Sequence, residues 1–172
     1  FYAGLAATHG RTRRRLDALG MSPEALGVFD AVVARTAPTM RAMGFPGDWA
    51  HGGEVAVLTA RKVAERPGGA TDAELLEAAM IGWLHDGAKL MDIPENGFRG
   101  SMIAHPVVAQ AVARDALAEL GSALDAYAKR TGTSRVGLVR RVVEGLGDNS
   151  DSRFVKDAGL RPFLQEALGG AD

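Results

Sequence analysis

Apolar residues recur along this chain at three- and four-residue spacings and almost never in strict alternation. That pattern predicts helices and no strands. Residues 1–20 give a weak start, with TRRRLDAL as the helical part. Ser22-Pro23-Glu24 opens a better helix: a cap, a proline in the first turn and an acid near the positive end. Leu26, Phe29, Val32 and Val33 lie on its apolar side, and Pro38 should end it. Residues 38–49 are expected to form a short helix and a loop. A helix starting at His51 carries Val55, Leu58 and Val63 and should stop near Pro67-Gly68-Gly69. Thr71-Asp72-Ala73-Glu74 is a capping-box pattern. The helix it starts runs through Leu75, Leu76, Ala79, Ile81, Trp83 and Leu84 into His85-Asp86. Both flanks of that helix are apolar, which predicts a central position.

After a loop at Pro94–Gly100, a helix is expected from Ser101 or His105 to Leu120-Gly121, and another from Ser122 to Lys129. Thr133-Ser134 begins a further one with Val136, Leu138, Val139, Val142 and Val143, ending at Gly145–Gly147. A short helix at Pro162–Leu168 completes the pattern. The expected fold class is therefore all-α, a compact helical bundle.

Composition narrows the chemistry. With 172 residues the chain can bury one sizeable core. Twenty Lys and Arg against twenty-one Asp and Glu leave no strong nucleic-acid signature. Cysteine is absent, which excludes disulfides, thiolate catalysis and cysteine-bound metals. No apolar run reaches the ~18 residues of a membrane span, and no lipidation or export motif stands out. The expectation is a cytoplasmic protein that does not enter membranes; oligomeric state is left open.

Histidine is scarce: His9, His51, His85 and His105. The pair His85-Asp86 closes an apolar helix, where two ionisable groups need something to offset their desolvation. Imidazole and carboxylate together suit a divalent cation, and further ligands must come from elsewhere in the chain. Lys89 follows His85 by about one helical turn, close enough to lean over the same site and pair with phosphate. Arg140 and Arg141 precede Asp148 by about two turns.

His51 in DWAHGGEVAVLTARKVAE, His85-Asp86 in AAMIGWLHDGAKL and Asp148 in RRVVEGLGDNSDSR form an H…HD…D series on a helical chain. This series resembles the HD-domain superfamily of metal-dependent phosphohydrolases, over roughly residues 48–155. The resemblance implies an HD-type helical domain at 48–172, with 1–47 as a helical extension packed on it. It implies His51, His85, Asp86 and Asp148 as ligands of one divalent ion: Mn, Fe, Co, Ni, Zn or Mg. Asp151 is the rival for the last position. His105 leads a segment similar to the histidine-led helix of two-metal branches. No histidine follows it between 122 and 147, so the implied site holds one metal, and His105 is a substrate contact, a proton donor or a partial ligand of a second ion. The implied activity is hydrolysis of a phosphate ester or anhydride in a small phosphorylated molecule, such as a nucleotide. Asp86, Lys89 and His105 are the catalytic candidates, and Lys89, Arg140 and Arg141 the substrate-binding ones. The alternative is a non-catalytic HD-like domain used for binding or regulation.

Overall fold

The computed structural model describes residues 2–42, 48–85 and 109–147. These residues form seven helices and no strand. They are α1 (Tyr2–Ala18), α2 (Pro23–Ala42), α3 (Asp48–Ala64), α4 (Asp72–Leu84), α5 (109–119), α6 (Gly121–Thr131) and α7 (Arg135–Gly147). The expected all-α bundle is what the chain builds. None of the described helices is long and apolar enough to cross a membrane.

The central helix is α4. Every residue from Leu75 to Leu84 is buried, so the helix has no solvent face to compare with a core face. Its start is the predicted capping box: the Thr71 hydroxyl accepts from Glu74 N–H, and the Glu74 carboxylate accepts from Thr71 N–H at 2.7 Å. Burial alone would raise the Glu74 carboxyl, but hydrogen bonds from Arg66 and Thr71 outweigh it and hold the group below its ordinary value.

Helices α3 and α4 form the most extensive interface, as an antiparallel hairpin. Gly82 makes it close: a Cβ there would stand 2.6 Å from Ala56 Cα and 2.7 Å from Ala56 N. Only glycine lets two backbones approach so nearly. The turn between the helices uses Gly68 and Gly69 at φ 93° and 73°. On the other side of α3, Gly53 admits Thr12 of α1, whose hydroxyl would lie 2.5 Å from an added Cβ.

Two expectations change. Helix α2 does not stop before Pro38 but continues to Ala42. Proline removes the donor for the carbonyl of residue 34, yet buried Val33, Thr36 and Ala37 anchor this stretch to the core. The Thr36 hydroxyl donates to Val32 O and accepts from Trp83 Nε1, both at 2.8 Å. Tertiary contacts thus override the local breaker. At the N-terminus, the helix extends well beyond TRRRLDAL, covering Tyr2–Ala18, with Leu16 fully buried. The expected helix at Pro162–Leu168 and the loop at Pro94–Gly100 lie outside the described residues.

The register of α7 on α4 decides where the helix ends fall. Arg141 binds Glu77, and one turn on, Gly145 packs on Ile81. Both contacts advance in the same direction, so α7 runs parallel to α4. Helix α5 runs the other way. Gln110 Nε2 donates to Val143 O at 2.8 Å and packs on Gly147. The start of α3, the end of α4, the first described residues of α5 and the end of α7 are therefore gathered at one end of the bundle.

The opposite end is tied by Asp72. Its carboxylate accepts from Ser22 N–H at 2.7 Å, Ser22 Oγ at 2.8 Å and Tyr127 Oη at 2.8 Å. Burial, then the hydrogen bond and charge of Asp72, push the Tyr127 phenol up, so it donates as a neutral hydroxyl. One carboxylate thus joins the starts of α2 and α4 to α6.

Candidate metal centre

His51 lies at the end of the first turn of α3, which begins at Asp48 rather than at His51. His85 is the C-cap of α4. The antiparallel hairpin sets these two positions against each other. Their ring centroids are 5.2 Å apart, with the planes tilted by 58°. Gly52, next to His51, packs on Trp83, whose carbonyl oxygen would be 3.4 Å from an added Cβ. Small residues at 52 and 82 bring the two histidines together.

His85 is buried, with 1% exposure. Its Nδ1 lies 2.6 Å from Gly82 O. A carbonyl only accepts, so Nδ1 donates, and in the neutral ring Nε2 is left as the acceptor nitrogen. That is the tautomer a metal-ligating imidazole needs, and a backbone carbonyl on the far nitrogen is the usual way to fix it. The donor chemistry of the pair thus fits a divalent ion. Among the described residues, no group of three His, Asp or Glu side chains is arranged to hold a metal. His51 and His85 are two of the four expected ligands. Asp86 and Asp148 lie outside the described residues, as do Lys89 and His105. The described chain leaves α4 at His85, resumes in α5 and ends α7 at Gly147.

Arg140 and Arg141 stand elsewhere. Arg141 Nε and Nη2 donate to Glu77 Oε1 at 2.9 and 2.6 Å. Glu77 sits two turns before His85, roughly 12 Å along the α4 axis. Arg140 is exposed and lines a groove between α5 and α7.

Glu77 itself went unnoticed in the sequence. It is 1% exposed in a helix buried all round. Burial raises its carboxyl above the ordinary value, and the hydrogen bond and charge of Arg141 only partly reverse this. Its Oε2 has no hydrogen-bond partner. The signal was available: an acid in the middle of an otherwise apolar helix has no solvent face to reach.

Compared with known proteins, the chain matches no family model, no curated protein and no solved structure.

Proposed function

We propose that this protein is a metal-dependent phosphohydrolase of the HD-domain type, acting on a phosphate ester or anhydride of a small molecule. The observation that carries this reading is the His51–His85 pair, with Nε2 of buried His85 as its acceptor nitrogen. Gathering of the α3, α4 and α7 ends adds support, because Asp86 follows His85 and Asp148 follows Gly147 directly in the chain.

In this reading His51, His85, Asp86 and Asp148 would hold one divalent ion. Bound there, the ion supplies Lewis acidity, which activates water and neutralises phosphoryl charge. Lys89 binds a phosphoryl oxygen as a compact point charge. Asp86 accepts a proton from the attacking water, and His105 protonates the leaving oxygen as the bond to phosphorus breaks. Arg141 is held by Glu77 and Arg140 lines the α5–α7 groove, so neither is assigned to the phosphoryl group in this reading.

The test is metal-dependent release of phosphate from a panel of nucleotides by wild type, His85→Ala and His51→Ala. Metal-restored activity in wild type and none in the variants is expected. Stoichiometric metal without turnover on any phosphorylated compound would favour the binding or regulatory alternative.

A further inference from the structure

Between α5 and α7 lies an open groove of about 630 Å³. Leu117, Val139 and Val143 make its floor apolar. Val136 stands at its lip with 72% exposure, the only large exposed apolar side chain among the described residues. One strongly exposed valine is ordinary by itself. Here it continues an apolar stripe on α7, at 136, 139 and 143.

The rim is cationic. Arg114, one turn after Gln110 on α5, comes level with residues 139–143 because α5 and α7 are antiparallel. It therefore faces Arg140 across the groove, and both line it. Neither has an ion-pair partner among the described residues. The neighbouring arginines Arg35, Arg130 and Arg135 do pair, with Glu119, Glu24 and Asp125. Glu144 is the single acid in the lining.

The size lies in the range of small-molecule sites, roughly 300–1,000 Å³. The apolar stripe from 136 to 143 is only about 10 Å long. That is short for the apolar face of a docked helix but sufficient for an alkyl chain. Two unpartnered guanidinium groups at one level suit one anionic head.

We propose that the α5–α7 groove binds a single-chain anionic amphiphile: a carboxylate head between Arg114 and Arg140, and an alkyl tail along Val136, Val139 and Val143. This site is separate from the His51–His85 end and needs no metal.

Amide NMR titration of the full chain with decanoate, below its micelle concentration, tests it. Acetate serves as the tail control and decyltrimethylammonium as the charge control. Saturable shifts are expected in 109–119 and 135–147 with decanoate alone. Arg114→Ser with Arg140→Ser should weaken binding about tenfold or more. Val136→Ser should also weaken it. All three positions are exposed, so these variants should fold, which circular dichroism verifies. Equal binding of the cationic amphiphile, unchanged affinity in the arginine variant, or no saturable response in wild type would each overturn the proposal.

Discussion

Removing Arg141 and removing Glu77 should have very different costs, although the two share one ion pair. The Glu77 side chain is 1% exposed and that of Arg141 is 30% exposed. Arg141→Met strands a buried carboxylate whose Oε2 already lacks a partner. Breaking a buried pair in that way costs about 3–5 kcal/mol. Glu77→Gln leaves an arginine that can turn to water and still reach the glutamine oxygen, so about 1–2 kcal/mol is expected. Replacing both, as Glu77→Leu with Arg141→Met, removes the desolvation cost as well and should fall between neutral and about 4 kcal/mol more stable than wild type. For a chain of this size each kcal/mol moves Tm by roughly 2–4 °C. Urea unfolding followed by circular dichroism measures all three, with unchanged m-values as the control. Equal losses in the two single variants, or a double variant as weak as Arg141→Met, would refute the claim that the pair is a desolvated contact between α4 and α7. The contact of Gly145 on Ile81, one turn further on, remains in the double variant, so the register of α7 on α4 should be kept.

Further expectations follow from the same packing. Burial raises the Glu77 carboxyl, so the folded state holds that proton more tightly than the unfolded chain. The stability it contributes is complete below pH 4.5 and declines as pH rises through the raised value; comparing Glu77→Gln with wild type by urea unfolding across that range should show the difference shrinking toward neutral pH. Gly82→Ala drives a Cβ to 2.6 Å from Ala56 Cα, against backbone that cannot rotate away, and should cost about 3 kcal/mol together with metal affinity; an unchanged Tm would contradict the close approach. Asp72→Ala removes three accepted hydrogen bonds, whereas Tyr127→Phe removes one, so thermal unfolding should rank Asp72→Ala well below Tyr127→Phe, which should lose about 1.5–3 kcal/mol.

Much of this was legible in the chain. The all-helical pattern, the capping box at Thr71 and the central place of α4 follow from periodicity and local chemistry, which act over a few residues. Pro38 misled because the contacts that hold its helix, Thr36 to Trp83 above all, span 47 residues. The start of α3 at Asp48 placed His51 one turn deeper than expected. Helix registers were not legible. Periodicity tells which face is buried but not which neighbour it meets, so the parallel run of α7 on α4 and its consequence for the helix ends came only from the structure. For the candidate site, the H…HD…D series already joined His51 to His85, but not the distance and tilt of the two rings. The fixed tautomer of His85 depends on a carbonyl three residues back, at a glycine chosen for helix packing.

His51 and His85 are proposed as ligands of one divalent ion. Isothermal titration of the full chain with Mn²⁺, Co²⁺ and Zn²⁺, with metal content measured on untagged protein, tests it most directly. Wild type should bind a single ion per chain and His51→Ala and His85→Ala none, with helical circular dichroism retained in both. Binding of the same stoichiometry and affinity in either variant, or no ion in wild type, would contradict it.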